Sequence, residues 1–275
     1  MRTVLATVLS VSLLSFPVFA ETPVGNDVYV MADSTLPSIA MAAWNDGDKV
    51  KFAARADTAN APNNAVTYAA KQVVWPTGRV RVMTFNKDSG GVLHPITDET
   101  LLYVLEGKAE VGVGDQTASL VAGDVVSFPS GALRNSGGAS DATIVTWNVP
   151  SLTGENTPTH VKGADVQEGG GGAITLKRYT FPGNSVRAVK LAAGGSTNPN
   201  SAKTDSMIYV TGGPMTFFQN GLEFIVNKGD FIREVADATH NWIVQENSGF
   251  VTTSGLPLDM SGINPDEATD IPPQQ

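Results

Sequence analysis

The sequence contains an internal repeat in which every matching pair of segments has the same spacing. The matching pairs are residues 100–107 (TLLYVLEG) with 206–213 (SMIYVTGG), Gly123-Asp124 with Gly229-Asp230, and Arg134-Asn135 with His240-Asn241. The spacing is 106 residues for each pair, and the 36 positions from Thr100 to Asn135 align without a gap. Self-similarity at a fixed period indicates two structural units of the same architecture.

Short strands separated by turn residues characterise both units. The chain has 28 glycines, and stretches with the apolar periodicity of a helix are scarce. Residues 80–85, 101–105 and 108–113 of the first unit are short apolar or alternating runs that end in Gly, Asn or Asp turns. This pattern predicts an all-β protein. Strands this short and closely spaced favour a small barrel or a jelly roll in each unit.

The first 20 residues have the features of a secretory signal. Arg2 provides a positive start, residues 4–16 form an apolar run, and Val18-Phe19-Ala20 is a small-residue cleavage site. The alternative is a membrane anchor, but the run is shorter than the roughly 20 apolar residues that span a bilayer. We therefore expect a periplasmic or secreted protein without membrane insertion, whose mature chain begins near Glu21.

Charge and cysteine content exclude several classes of function. The formal net charge is −9, which disfavours binding to nucleic acid or to an anionic membrane surface. Because the chain has no cysteine, it has neither disulfides nor a thiolate site. A small-molecule ligand is the expected partner, and the sequence leaves open whether chains associate into a homo-oligomer.

Composition divides the chain into five segments. Residues 1–20 are the signal, 21–153 the N-terminal domain, 154–172 a Gly/Pro linker, 173–258 the C-terminal domain and 259–275 a disordered tail. Within the first domain, residues 21–77 are the least regular part. In a two-domain β protein, such a segment commonly completes the sheets of one or both domains.

The repeat resembles the cupin family over both units, from about residue 80 to residue 256. The residues that match the two cupin motifs are Gly107, Gly123, Pro129 and Gly131 in the first unit, and Gly213 and Gly229 in the second. The second unit departs from the motif at Val235 and Asp237, where a Pro and a Gly are expected. The resemblance implies a bicupin, that is, two tandem cupin domains with jelly-roll-type β-barrels.

The resemblance also implies a metal site of three His and one carboxylate in each barrel, but the residues do not supply it. The four positions are His94, Ile96, Thr100 and Arg134 in the first unit, and Asn200, Ala202, Ser206 and His240 in the second. Each set has one imidazole and no carboxylate. Glu99 is one residue out of register, so it points outward unless the strand is bulged. We therefore expect neither a metal nor another cofactor.

The first barrel carries the main functional hypothesis. His94 is the candidate general acid or base, Arg134 is the candidate clamp for an anion, and Thr100 and Ile96 line the same site. His240 is a candidate ligand-binding residue in the second barrel. Purely structural roles remain open for both residues. In that alternative, His94 is an interior histidine whose hydrogen bonds are satisfied within the barrel, and Arg134 forms an ion pair with Glu99.

Three functions remain open on the sequence. The first is metal-independent binding of a small organic anion, with isomerase, epimerase or lyase chemistry by analogy with metal-independent cupins. The second is a binding or sensing module without chemistry. The third is a metal-dependent dioxygenase or decarboxylase, which the ligand count disfavours. Tyr103 and Tyr209 are expected to pack outside the barrels, between sheets or domains.

Overall fold

The computed structural model describes residues 29–46, 49–63, 65–75, 78–85, 93–96, 100–113, 116–128, 131–134, 141–148 and 158–255. The predicted signal (1–20) and the predicted tail (259–275) lie outside these ranges.

Within these ranges the chain forms 22 β-strands and three short 3-10 helices, but no α-helix. The strands of the first half are β1 (Val30–Met31), β2 (Ile39–Asp46), β3 (Lys49–Ala54), β4 (Val66–Trp75), β5 (Gly78–Phe85), β6 (Leu93–Ile96), β7 (Thr100–Glu106), β8 (Lys108–Val113), β9 (Gln116–Val121), β10 (Val125–Phe128), β11 (Gly131–Arg134) and β12 (Ala142–Asn148). Those of the second half are β13 (Thr159–Val161), β14 (Glu168–Gly171), β15 (Ile174–Phe181), β16 (Asn184–Leu191), β17 (Ser206–Val210), β18 (Met215–Gln219), β19 (Leu222–Val226), β20 (Phe231–Glu234), β21 (His240–Val244) and β22 (Ser248–Gly255). The 3-10 helices are Asp33–Thr35, Arg55–Asn60 and Gly163–Asp165.

Each unit is a sandwich of a larger and a smaller antiparallel sheet. The first unit has the strand order β13-β10-β7-β12-β5-β4-β2-β3 facing β6-β11-β8-β9. The second has β1-β20-β17-β22-β16-β15-β14 facing β19-β18-β21. The prediction of an all-β chain with two tandem jelly-roll-type barrels is confirmed.

Alternation along the strands produces three cores. On β7, Leu102 and Val104 point into the first barrel, whereas Leu101 points to the opposite face of the sheet. The first barrel is filled around Met83, Phe85, Leu102 and Phe128, and the second around Met215, Phe217 and Trp242. Met83, Phe85, Leu102, Met215 and Phe217 are all buried.

The third core joins the two units. The outer faces of the two larger sheets pack together around Trp147, whose indole Nε1 donates to the carbonyl oxygen of Met207 at 3.0 Å. Tyr209 is buried in this core, and Tyr103 packs against it, with its ring 6.1 Å from the ring of Tyr179. The prediction that Tyr103 and Tyr209 pack outside the barrels is confirmed. Burial raises the pKa of Tyr209 to about 12.

The two units also exchange short arms. Strand β1 precedes the first unit but pairs with β20 of the second, with Met31 opposite Phe231. Strand β13 precedes the second unit but pairs with β10 of the first, with Val161 opposite Val125. Since residues 125 and 231 are 106 apart, the two arms dock at equivalent places in the repeat.

The repeated Gly-Asp pair anchors these arms. Asp124 Oδ1 accepts from the backbone N–H of Gly163 at 2.9 Å, and Oδ2 lies 3.1 Å from His160 Nε2. Asp230 Oδ1 accepts from the backbone N–H of Asp33 at 2.8 Å. Each aspartate also caps its own turn, through the backbone N–H of Val121 or Asn227. The motif therefore has a structural role in docking the arm of the other unit.

The segment predicted as a linker, 154–172, is structured where the structure describes it. It contains β13, which joins the first unit, and β14, which pairs with β15 in the second. Because of its Gly and Pro content, this segment was predicted to be a linker, and neither strand was predicted. Four of its glycines, Gly169 to Gly172, lie in or beside β14 because this strand forms an exposed edge with a tight turn into β15.

Candidate functional site

The sequence repeat extends into the interior of both barrels. Four neighbouring strands of each larger sheet place side by side residues that share the spacing of 106. The outer row is Arg79, Asn148, Thr100 and Phe128 in the first unit, and Ser185, Ser254, Ser206 and Glu234 in the second; the next row is Arg81, Thr146, Leu102 and Val126, or Arg187, Thr252, Ile208 and Ile232. Directly paired residues share one face of a sheet. Because Leu102 and Ile208 belong to the barrel cores, both rows face the interior.

Two guanidinium groups face the interior of the first barrel. Arg79 is 2% exposed, and its Nε donates to Asn148 Oδ1 at 2.8 Å. Arg81 lies on the same face of β5, and its Nε donates to Gln72 Oε1 at 3.0 Å. Thr100, predicted to line this site, is buried in the same row as Arg79.

The other predicted residues of the first barrel lie on β6 and β11. These strands are paired, with His94 opposite Leu133, Arg134 opposite Leu93 and Ile96 opposite Gly131. In the second unit, by contrast, Asn200 lies directly opposite His240. The side chains of His94, Ile96 and Arg134, and the whole of Glu99, lie outside the part of the chain that the structure describes. Their roles therefore stay predictions.

The second barrel contains a buried His–Glu pair. His240 and Glu234 are each 6% exposed, and His240 Nε2 lies 3.5 Å from Glu234 Oε1. The same Oε1 accepts a hydrogen bond from Trp242 Nε1 at 3.2 Å. His240 Nδ1 lies 3.3 Å from the carbonyl oxygen of Ala238, which fixes the ring from the other side. The predicted residue His240 is thus inside the barrel, beside a carboxylate.

Arg187 completes this polar cluster. Its Nη2 donates to Ser206 Oγ at 3.4 Å, whereas its Nε is buried without a hydrogen-bond partner. Burial lowers the pKa of the Arg187 guanidinium, and the nearby Glu234 carboxylate opposes that shift. A guanidinium nevertheless stays charged in proteins. Arg187 and Glu234 therefore balance each other's charge within the barrel.

Glu234 and Arg187 were missed in the sequence reasoning, although two signals mark them. Each lies two residues along its strand from an interior apolar residue and so shares its face: Glu234 is two residues from Ile232, and Arg187 is two residues from Val189. In addition, Arg187 is the counterpart of Arg81 at the constant spacing. Extending the repeat upstream of Thr100 would have identified the pair of interior arginines.

The second barrel does not fit a metal ion of the cupin type. Of its four ligand positions, Ala202 has no donor atom and only His240 has an imidazole. No group of three or more His, Asp or Glu side chains able to hold a metal occurs among the described residues.

A separate surface pocket of about 490 Å³ lies at the other end of the second barrel. Leu191, Thr211 and Ser248 are among its lining residues, at or beside the ends of β16, β17 and β22 that lie away from Ser206. None of the predicted site residues lines it.

Comparison with known proteins is consistent with this architecture. A family model described as "Cupin domain" matches residues 81–147, which run from within β5 to within β12 of the first unit. Residues 81–147 thus form a recognisable cupin domain.

Solved cupin-fold structures resemble this chain over most of its length. Protein Ylba from E. coli has 15% sequence identity and a TM-score of 0.61, covering 84% of this chain and 91% of that one. A variant of oxalate decarboxylase from Bacillus subtilis has 12% identity and a TM-score of 0.60, covering 84% and 78%. The 7S globulin of Momordica charantia has 12% identity and a TM-score of 0.59, covering 83% and 84%. At these identities the likeness shows the fold alone.

The search of curated protein sequences found no match to this chain. Among the residues that the structure describes, none forms a helix with the length and apolarity needed to cross a membrane.

Proposed function

We propose that this bicupin is an exported protein that binds a small organic anion in its first barrel without a metal. The supporting observation is the pair of interior arginines, Arg79 and Arg81, on the same face of β5. An arginine side chain presents five N–H donors in a rigid, permanently charged fork. Its planar donors match a carboxylate or phosphate group.

The difference between the two barrels supports the choice of the first. At the position where the second barrel has Glu234 beside its arginine, the first has the fully buried apolar ring of Phe128. The interior rows of the first barrel thus contribute two positive charges, whereas those of the second contribute one of each sign. Arg134 is a further arginine of the first unit, and its role as an anion clamp is part of the proposal.

Acid–base chemistry on the bound anion is the finer part of the proposal. His94 would remove or supply a proton beside the anionic group, and the arginines would stabilise the charge that develops. Isomerase, epimerase or lyase reactions use such a step. The second candidate is a binding or sensing module without turnover. Turnover that stops on His94→Ala while binding persists distinguishes the enzyme from the binder.

The proposal is tested by binding measurements on protein dialysed against a chelator. Small mono- and dicarboxylic acids and inorganic phosphate are screened by thermal denaturation, since a ligand that binds only the native state raises the Tm. We expect at least one anion to raise the Tm, and elemental analysis to find no stoichiometric divalent metal. A tightly held metal at one equivalent, or an absence of stabilisation by every anion, would contradict the proposal.

Export has its own test. We propose that cleavage after Ala20 produces a mature chain that begins near Glu21, because the segment combines a charged start, an apolar run and a small-residue end. N-terminal sequencing of protein recovered from its natural host should give a sequence starting near Glu21. Retention of Met1 in the mature protein would contradict the export proposal.

A further inference from the structure

The surface pocket of about 490 Å³ lies where four neighbouring strands of the second unit, β15, β16, β22 and β17, begin or end. Thr175, Lys190, Gly249 and Thr211 line it, one at or beside the end of each strand. Lys190 is opposite both Thr175 and Gly249, and the backbone N–H of Thr211 donates to the Gly249 carbonyl oxygen at 2.9 Å. These four residues therefore lie next to one another across one cavity, whose volume is typical of small-molecule sites.

The repeat explains why there is room for a cavity at this end of the second unit. Three larger residues of the first unit are replaced at the constant spacing of 106: Thr143 by Gly249, Leu105 by Thr211, and Phe85 by Leu191. The strand pairing is equivalent, since Phe85 lies opposite Ala142 and Leu191 opposite Ser248. In the first unit the buried ring of Phe85 packs 5.2 Å from the ring of Tyr68. The smaller residues of the second unit leave this space open.

The rim of the pocket changes from neutral to cationic between the two units. Lys190 replaces Thr84, and Thr175 replaces Ala69. None of the described residues that line the pocket is acidic, although the formal net charge of the chain is −9. Lys190 Nζ lies 3.7 Å from Glu168 Oε1 of the neighbouring strand β14, but the two side chains are 77% and 49% exposed. An ion pair this exposed contributes little, so the ammonium group is available to a ligand.

Two further lining residues provide hydrogen-bond donors. Ser248 Oγ is buried without a hydrogen-bond partner, whereas buried polar atoms are normally paired. Asn247 Oδ1 accepts from the backbone N–H of Ala193 at 2.9 Å, and its Nδ2 can only donate. The pocket therefore combines one ammonium group with amide and hydroxyl donors.

We propose that this pocket is a second binding site, which takes a small organic acid with a single carboxylate group. Lys190, the one cation among the described lining residues, pairs with the carboxylate. Asn247 and Ser248 donate to the carboxylate oxygens or to a neighbouring hydroxyl of the ligand. The uncharged body of the acid lies over Gly249 and against Leu191. The site belongs to the other unit from the anion site proposed above and does not depend on it.

The test uses glycine-selective ¹⁵N labelling of the full mature chain, because Gly212 and Gly249 both line the pocket. Acetate, lactate, butyrate and benzoate are titrated separately, and the shifts of the two amide signals give the dissociation constant. Lys190→Met removes the cation. Lys203→Met, at an exposed lysine that is also paired with a carboxylate but does not line the pocket, is its matched control. Arg81→Met excludes a contribution from the first barrel.

We expect saturable shifts of both signals with at least one of the four acids. Lys190→Met should raise the dissociation constant about 5-fold, as for one partly exposed charge pair, whereas Lys203→Met and Arg81→Met should leave it unchanged. Ser248→Ala should raise it several-fold without a loss of stability, because no hydrogen bond of the free protein is removed. Glu168→Gln should lower it, since a carboxylate that competes for Lys190 is lost.

Filling the pocket provides an independent check. Thr211→Leu introduces the larger residue that the first unit has at the equivalent position, and it should abolish the shifts of the Gly249 signal. The proposal is overturned if none of the four acids shifts the two glycine signals of the wild type, or if Lys190→Met and Lys203→Met bind the acid equally well.

Discussion

Gly163→Ala is expected to lower the free energy of unfolding by about 2–4 kcal/mol, which combines overpacking with loss of a buried hydrogen bond. A Cβ at this position would lie 2.4 Å from the carbonyl oxygen of Gly123 and 2.7 Å from its carbonyl carbon. These are backbone atoms, so no side chain can rotate away. The same Gly123 carbonyl accepts from Tyr179 Oη at 2.7 Å, which holds it in place.

Gly171→Ala is the matched control, because a Cβ there meets nothing within 4 Å and its φ is ordinary. We expect its effect to stay within about 0.5 kcal/mol, as for other exposed positions. Urea denaturation of the two variants and the wild type measures both effects. Equal stability of Gly163→Ala and wild type would contradict the close docking of the β13 arm on the first unit.

The two arm sites differ at the arm residue whose backbone N–H binds the repeated aspartate. Asp33 occupies, on the β1 arm, the place that Gly163 occupies on the β13 arm, since the backbone N–H of each binds a repeated aspartate. The Asp33 carboxylate extends away to Lys71 Nζ at 2.6 Å, which ties this arm to β4 of the first unit. The second site therefore accepts a side chain that the first excludes.

Arg81→Met is expected to weaken binding of a small organic acid by about two to three orders of magnitude, corresponding to loss of one desolvated charge pair. Methionine keeps the length and much of the volume of the side chain, so the barrel should stay folded. Calorimetry with the organic acid that stabilises the wild type most strongly measures the change. Arg187→Met, at the equivalent position of the second barrel, should leave this affinity unchanged.

Arg134→Met should have an effect of the same size if Arg134 clamps the anion as the sequence predicts. The opposite pattern is also informative. If Arg81→Met or Arg134→Met lowers stability and leaves organic-acid binding unaltered, that arginine is an internal pairing partner. If the double variant Arg81→Met/Arg134→Met still binds the organic acid, the first barrel is not the binding site.

The repeat was sufficient to predict the architecture, because strand alternation and Gly-containing turns are local signals. The exchange of arms could not be predicted from hydrophobic periodicity, because β1 and β13 have only two and three residues. Their partners are also distant in sequence, 200 residues away for Met31 and Phe231. Only the structure shows that the Gly-Asp pairs dock arms.

The site was predictable in part. His240 was found because the family motif marks its position, whereas Glu234 stands where that motif has no ligand. The constant spacing also fails locally at His94, which lies opposite Leu133 although its counterpart Asn200 lies opposite His240. Pro95, next to His94, has no N–H to donate to a ladder, whereas its counterpart Ser201 has one. The spacing of the repeat in the sequence therefore could not predict this difference in strand register.

Anion binding in the first barrel is tested most directly by native mass spectrometry of the chelator-treated mature protein, titrated with the organic acid that stabilises it most. We expect a single organic-acid adduct and no metal in the wild type and in Arg187→Met, and no adduct in Arg81→Met at the same concentration. An adduct that persists in Arg81→Met, or one that disappears only in Arg187→Met, would contradict it.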